Sequence, residues 1–479
     1  KIPVDGKIVE GHTRIDESAI TGEPIPIART IGELVVSGTI NKQGYIKFIA
    51  EKVGSDTLLS QIITMVESAQ NSKAPIEKMA DKVSAIFVPT VLLLSLAAFF
   101  IWLGFGNLSL AISSFVGILV IACPCALGLA TPTAIIVGVG KGAQNGILVK
   151  DASVLEKLYS IDTVVFDKTG TITTGKPKVS SIITTSDLSE EENLFLLASL
   201  EKHSSHPLAQ AITDHAKKKK IKLHLVNNFK EIPGKGVSGK IKTKHYLAGN
   251  LTLLKEHRVS FEADRLKEFT SKGLTPIFLF SGKDLLSVTL ISDTLKTESI
   301  KAITDLHKLG IKTIMLTGDD KNTAAYMGKL VGIDQIYSQV LPTDKARIIK
   351  EIRQSLPAGR RVAMVGDGIN DAPALAEAEV GIAMSTGTDI AIESAGITLL
   401  HGDLGKVTQA IKLSKVTMNT IRQNLFWAFF YNVIGIPIAA GVLYPLFGIV
   451  LNPAIAGAAM AFSSVSVVTN SLRLKSARI

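Results

Sequence analysis

The sequence predicts a multidomain membrane protein in which an α-helical transmembrane bundle carries soluble α/β, α+β and β-rich domains. Three observations predict it. Long runs carry no charge, although the whole chain is 46% hydrophobic and 20% charged. Strand-like segments in the second half are each followed by Gly-Asp and a helical pattern, as in a doubly wound sheet. A section of different character interrupts that pattern, which marks an inserted domain. At 479 residues the chain also exceeds one compact core.

Residues 1–56 alternate short β-rich runs with Gly and Asp turns such as Pro3-Val4-Asp5-Gly6 and Ser37-Gly38-Thr39, predicting a small β-rich domain. The chain opens Lys1-Ile2-Pro3-Val4 without an initiator Met or signal-like segment, in what reads as the middle of a domain, so it is read as a piece of a longer protein. Residues 57–82 predict one amphipathic helix, with Lys73, Lys78 and Lys82 near its end.

Residues 57–150 are assigned to this linker helix and two transmembrane helices. The first span runs from Ala85 to Phe105 without a charge, and about 20 such residues cross a hydrocarbon core of ~30 Å. The second, Leu108 to Val139, is too long for one straight span and contains Pro124 and Pro132, which predicts a broken helix. Two further spans, about Leu425 to Phe447 and Pro453 to Leu472, fall within residues 420–475 and complete two hairpins. Lys78, Lys82, Lys141, Lys150, Arg422, Arg473 and Lys475 flank the outer ends, whereas the turns at Gly104–Leu108 and Tyr444–Asn452 carry no charge. The positive-inside rule then puts both termini and the soluble insert in the cytoplasm.

The net charge of +10 does not indicate nucleic acid, because the basic residues are scattered and no nucleic-acid motif interleaves them with aromatics. Lys217 to Lys220 reads as the solvated end of a helix following His206. Cys123 and Cys125 are the two cysteines and lie in one apolar run, so no long-range disulfide framework is available.

Chemistry concentrates at strand ends. Val164-Val165-Phe166 leads into Asp167-Lys168-Thr169-Gly170-Thr171, placing a carboxylate where it can attack phosphorus and form an acyl phosphate. Thr317-Gly318-Asp319 offers a hydroxyl to the same phosphoryl group, Lys345 offers a cation, and Gly366-Asp367-Gly368-Ile369-Asn370-Asp371 offers carboxylates for Mg²⁺.

The D-K-T-G-T, T-G-D and G-D-G-I-N-D segments, in this order, resemble the phosphorylation domain of P-type ATPases, within the haloacid dehalogenase fold. The resemblance implies Asp167 as nucleophile, Asp367 and Asp371 at Mg²⁺, and Lys345, Thr317, Asn370 and Asp371 around the phosphate, with Thr169, Gly318 and Asp319 also on the nucleotide. Thr169 stands where soluble phosphatases of that fold usually have a second Asp, so the phosphoenzyme is expected to persist until another domain triggers hydrolysis. Thr21-Gly22-Glu23 resembles the actuator loop whose Glu positions the attacking water. In the inserted section, Glu201, His206, Gly234, Gly236 and Asn250 resemble the ATP-surrounding set of the heavy-metal subclass, with Ser205 where many members carry Glu. The implied architecture is a transmembrane bundle (57–150 and 420–475), a haloacid-dehalogenase-like phosphorylation domain (155–175 and 286–415), an inserted α+β nucleotide-binding domain (176–285) and a partial β-rich actuator domain (1–56). The family's first half of the actuator and its earlier membrane helices are expected to lie outside the chain.

Pro124 opens the second span between Cys123 and Cys125, whose C-x-C spacing is poorly placed for an unstrained mutual disulfide. Soft thiolates select Cu(I) and also suit Zn(II). Between Leu425 and Leu472 there is no Asp, Glu, Lys, Arg or His to complete a divalent site. Tyr431-Asn432 and Met460-x-x-Ser463-Ser464, with C-P-C, resemble the Cu(I)-exporting subclass, which implies Cys123, Cys125, Tyr431, Asn432, Met460, Ser463 and Ser464 as the transport site. ATP, Mg²⁺, transported Cu(I) or Ag(I), a lipid bilayer, a copper chaperone and a plasma (bacterial inner) membrane location follow from that resemblance. The rivals are a Zn/Cd/Pb pump, which predicts an intramembrane acid this chain lacks, and a membrane-tethered phosphatase, which leaves C-P-C and Thr169 unexplained.

Overall fold

The computed structural model describes residues 1–479 apart from 17–25, 72–73, 205, 233, 263–264, 266–267, 270, 272, 320, 368–370 and 385–393. At the start of the chain, β1 (Asp5–Asp16) pairs antiparallel with β2 (Ile27–Arg29), β3 (Leu34–Val35) and β4 (Ile40–Lys52). Burial along β1 falls on Gly6 and Ile8, then on Thr13 and Ile15. This jump from even to odd positions follows from the register shift against β4 between Ile8 and Glu10, since one extra residue reverses the face a side chain takes.

Asp5 ties this sheet to the first helix. Its carboxylate accepts from the amides of Ser37 at 2.7 Å and Leu58 at 2.6 Å, the latter opening α1 (Leu58–Asn71), where the helix dipole favours an anion. The single helix expected over 57–82 is instead two. α1 ends at Asn71, and α2 (Pro75–Gly104) begins on a proline and continues into the uncharged sequence. Proline suits the first helical position but cannot continue a preceding helix, so the chain breaks before it.

α3 (Leu108–Ile121) and α4 (Cys125–Gln144) are separated at Ala122–Pro124, as expected for Pro124, whereas Pro132 sits inside α4 without ending it. A parallel sheet follows, built from β5 (Ile147–Val149), α5 (Ala152–Tyr159) and β6 (Ile161–Asp167) onward. The chain leaves it through β7 (Thr173–Thr184) into α6 (Glu190–Glu201), α7 (Pro207–Lys218), β8 (Asn227–Ile232), β9 (Gly236–Ile241), β10 (Lys244–Gly249), α8 (Leu251–Glu256), β11 (Thr275–Ser281) and β12 (Asp284–Leu295). These strands form a six-stranded antiparallel sheet in the order β7-β12-β11-β10-β9-β8, and β12 runs past residue 285, the limit read from the sequence, because it stays paired with β7 down to Thr173.

The parallel sheet resumes with β13 (Lys312–Leu316), β14 (Gln335–Tyr337), α9 (Lys345–Ser355), β15 (Arg361–Gly366), β16 (Val380–Met384) and β17 (Ile397–Leu399). Its seven strands run β14-β13-β6-β15-β16-β17-β5, with β5 alone antiparallel. β6 is an interior strand, with Val164 and Phe166 in one apolar cluster and Val165 in another, as expected for a strand covered on both faces.

The chain closes with α10 (Gly405–Ala439) and α11 (Pro453–Leu472). Among the described residues three helices are long and apolar enough to cross a membrane, Pro75–Gly104, Leu108–Gln144 taken across its break, and Pro453–Ser476. The third expected span, about Leu425 to Phe447, does not form one helix. α10 ends at Ala439 because Gly441 turns to φ 85° against the indole of Trp102, which donates to the Ala440 carbonyl at 2.9 Å; a short separate helix follows at Tyr444–Phe447.

Candidate active site

β6 lies inside the sheet between β13 and β15, and its carboxyl end delivers Asp167 to the crevice where ligands of such sheets bind. Asp167 is 6% exposed and accepts from the Thr169 amide at 3.0 Å. Gly170 then turns at φ 75°, and a Cβ there would overlap the Asp367 carboxylate, so the loop approaches β15 only as glycine. From β13 comes Thr317, buried, whose hydroxyl accepts from the Asp319 amide at 3.1 Å; Asp319 pairs with Lys168 at 2.7 Å. Lys345 opens α9 and donates to Asp167 at 2.6 Å and to Asp371 at 2.7 Å.

Asp167, Asp367 and Asp371 each offer an oxygen, and these oxygens lie within 4.8 Å of one another. Burial first, and Asp371 second, push the carboxyl of Asp167 up to about 7, against the opposing pull of Lys345. Asp367 is raised as well, by burial and then by Asp371. Burial works against the charge of Lys345, but Asp167 and Asp371 outweigh it and hold the ammonium above its usual range. One ammonium does not cancel three carboxylates, and the hard oxygen set fits a small divalent cation such as Mg²⁺.

A second cavity, of about 170 Å³, lies in the inserted domain and is lined by Glu201, His206, Gly234, Gly236 and Asn250, all expected from the sequence. His206 caps α7, its Nδ1 accepting from the Leu208 amide at 3.2 Å. Asn250 caps α8 and donates to the Gly234 carbonyl at 2.9 Å, pinning the glycine loop. Gly236 adopts φ 148°, and a Cβ there would overlap the Ala248 carbonyl across the sheet. Thr169, Gly318 and Asp319 do not line this cavity but stand with Asp167 and Thr317.

In the helical bundle, Cys123 and Met460 pack in one apolar cluster. Asn432 is 4% and Ser463 is 1% exposed, and the side-chain amide oxygen of Asn432 has no hydrogen-bond partner among the described residues. Ser464 is half-buried, and Tyr431, at 37% exposed, is the least enclosed of the expected set on α10 and α11. Cys123 and Cys125 are joined as a disulfide, contrary to the expected resistance of C-x-C to a mutual bond. The two Cα atoms stand 5.5 Å apart, an ordinary disulfide separation.

Glu23, with Thr21 and Gly22, lies outside the described residues, as do Asn370 and Ser205. The sequence reading did not assign Lys168 a role, although it sits inside D-K-T-G-T; its ion pair with Asp319 bridges two strand ends. Asn424 also went unread. It is 2% exposed and donates to the Ala130 carbonyl and to Ser471, with no motif to mark it.

Residues 161–379 match a family model described as haloacid dehalogenase-like hydrolase, and residues 1–67 match one described as P-type ATPase actuator domain. The chain is 48% identical over 480 residues to a copper-exporting P-type ATPase of Legionella pneumophila, covering 99% of this chain and 65% of that protein. To a silver exporting P-type ATPase of Salmonella typhimurium it is 48% identical over 483 residues, covering 100% of this chain and 58% of that protein. Among solved structures, a zinc-transporting PIB-type ATPase in an E2.Pi state superposes with a TM-score of 0.73 at 33% identity, over 99% of this chain and 76% of that one. The chain thus spans 58% to 65% of the length of these two curated relatives.

Proposed function

The chain belongs to the PIB-type, heavy-metal branch of the P-type ATPases, and on that premise we propose that its protein exports Cu(I), with Ag(I) as a second substrate, by ATP hydrolysis through a phosphoaspartate at Asp167. The observation that carries the reaction is the ammonium of Lys345 held between Asp167 and Asp371 at the end of the parallel sheet. Asp167 attacks the terminal phosphoryl group of ATP held by the Glu201 and His206 cavity, and the ADP oxygen leaves. Lys345 neutralises charge on the transferred oxygens, and the Thr317 hydroxyl donates to one of them. Mg²⁺ held by Asp367 and Asp371 supplies charge neutralisation on the phosphoryl group. Thr169 is no general base, so hydrolysis of the acyl phosphate waits for a water positioned by Glu23.

The Cu(I) assignment rests on the soft donors Cys123 and Met460 sharing one apolar cluster, and on the absence of Asp, Glu and His from Leu425 to Leu472. Ligation by Cys123 and Cys125 requires the reduced pair. Asn432, Ser463, Ser464 and Tyr431 complete the transport path. Zinc transport by the superposed PIB-type relative favours the rival divalent reading at the level of fold, but the lack of a carboxylate or imidazole between Leu425 and Leu472 argues against it. The basic residues at the outer ends of the hairpins support a multi-pass topology with catalytic domains on the cytoplasmic side, and the resemblance to copper exporters supports the plasma membrane as location and a copper chaperone as donor.

The test is ATPase activity of the full-length protein in lipid with Cu(I), Ag(I), Zn(II) and Cd(II) in turn. Stimulation by the monovalent ions and an acid-stable, hydroxylamine-labile label that vanishes in Asp167→Asn are expected. Activation by the divalent ions alone overturns the metal assignment, and a label that survives Asp167→Asn overturns the reaction.

A further inference from the structure

A cavity of about 700 Å³ lies between α2, α5 and α10, outside the sites described above. Its position is set by sequence. α2 passes here from Lys78, Asp81 and Lys82 into the uncharged residues that follow, and α10 passes from Arg422 into its own uncharged stretch beginning at Gln423. The cavity therefore sits at the boundary between charged and apolar sequence, on the side where the soluble domains attach.

Its wall is amphipathic. Met79, Met418, Phe426 and Phe429 form the apolar part, with Met79 57% and Phe426 59% exposed at the open side. Arg361, at the start of β15, and Arg422 form the polar part. Among the described residues neither guanidinium meets a carboxylate at ion-pair distance; Arg422 lies 4.5 Å over the ring of Tyr159 and donates to its hydroxyl at 2.6 Å. The acid that also lines the cavity, Glu156, is turned to the start of α2, where it accepts from the Ile76 amide at 2.9 Å. Two cations, with the acid beside them engaged at a backbone amide, next to an apolar, outward-opening wall call for a ligand with an anionic head and a hydrocarbon tail.

We propose that this cavity binds one anionic glycerophospholipid of the adjoining leaflet, its phosphodiester between Arg361 and Arg422 and an acyl chain along Phe426, Phe429 and Met79. Guanidinium forks match phosphate oxygens, and basic pockets between membrane helices on the cytoplasmic side hold phospholipid head groups in this way. The aromatic stack of Tyr159 fixes Arg422 before the lipid arrives, which lowers the ordering cost.

The experiment uses the full-length protein in phosphatidylcholine nanodiscs, with spin-labelled phosphatidylglycerol or spin-labelled phosphatidylcholine as probe and glycerol 3-phosphate as soluble competitor. A saturable preference for phosphatidylglycerol is expected, reduced about fivefold by Arg422→Gln or by Arg361→Gln, retained in Arg422→Lys, and unchanged in Arg473→Gln, which does not line the cavity. Arg361→Gln serves where Arg422→Gln does not fold. Equal association of the two lipids, or unaltered preference in both glutamine variants, overturns the proposal and leaves the cavity to a protein segment. Full competition by glycerol 3-phosphate also overturns it, since the site then takes a phosphate ester without a tail.

Discussion

Lys345 Nζ lies 2.6 Å from Asp167 Oδ1, and the same ammonium holds Asp371 at 2.7 Å, so one cation keeps two buried carboxylates in place. Lys345→Met leaves that charge uncompensated, and a buried ion pair broken on one side costs about 3–5 kcal/mol. Phosphoenzyme formation from ATP is expected to fall at least about a hundredfold, as for loss of one preorganised charge-stabilising group. Lys345→Arg is expected to fail too, because a planar guanidinium does not fit a side chain only 10% exposed. Acid-quenched labelling with radioactive ATP measures both; labelling near the unmodified level in Lys345→Met removes the lysine from the reaction.

Glu201 supplies a pH prediction. Burial first, and Glu231 second, push its carboxyl up to about 7 from 4.5. The folded domain therefore favours the protonated form. That stabilisation is complete below about pH 4.5 and is lost as pH rises through about 7, and a shift of this size is worth about 3 kcal/mol. Hydrogen exchange in α6, corrected for intrinsic pH dependence, is expected to lose protection between about pH 4.5 and pH 7 and to change little above that, and Glu201→Gln is expected to flatten that loss. Identical corrected profiles for the two proteins count against the buried charge as the cause.

The placement of Cys123 and Met460 in one apolar cluster makes a further prediction. Cys123→Ser is expected to abolish metal-stimulated turnover while nucleotide binding persists, because the ATP cavity lies in a separate sheet. Met460→Leu keeps the volume and removes the sulfur, so it is expected to raise the metal concentration needed for stimulation with little effect on stability, under about 1.5 kcal/mol for such a swap. Titrated Cu(I) stimulation separates the two. Unchanged half-saturation in Met460→Leu leaves Met460 as packing only.

Legibility followed the range of the interactions involved. Asp167 was readable because an apolar run, a strand tip and a glycine turn are adjacent in the chain, and each later strand end repeats that local grammar. Gly236 and Asn250 were readable as members of a set, though not for the cross-sheet contacts that fix them. The end of α10 was not readable, because Trp102, far earlier in the sequence, decides it. The break before Pro75 was visible in the residue itself but was masked by the amphipathic pattern around it. Asn424 had no signal, since it follows Arg422 and Gln423 at the end of the polar stretch of α10 and looks like one more of that stretch, and its partners lie on two other helices.

Those partners yield the last prediction. Asn424 on α10 donates to the Ala130 carbonyl at 3.1 Å and to Ser471 Oγ at 2.9 Å, and accepts from Asn470 at 2.9 Å. Ser471 in turn lies 3.0 Å from the Thr133 hydroxyl. The network joins α4, which carries Cys125, to α10, which carries Asn432, and to α11, which carries Met460. It therefore ties together the three helices that carry the proposed transport residues. Asn424→Leu preserves bulk but strands the polar groups of its neighbours, at about 1–2 kcal/mol, and a lower thermal midpoint in lipid is expected. Ser471→Ala alone is expected to cost less, because Asn424 keeps Ala130 and Asn470. The double variant distinguishes a network from independent packing, with a coupling of about 0.6 kcal/mol or more expected between the two sites. Strict additivity, together with unaltered metal stimulation in Asn424→Leu, sinks the claim that this amide ties the three helices together.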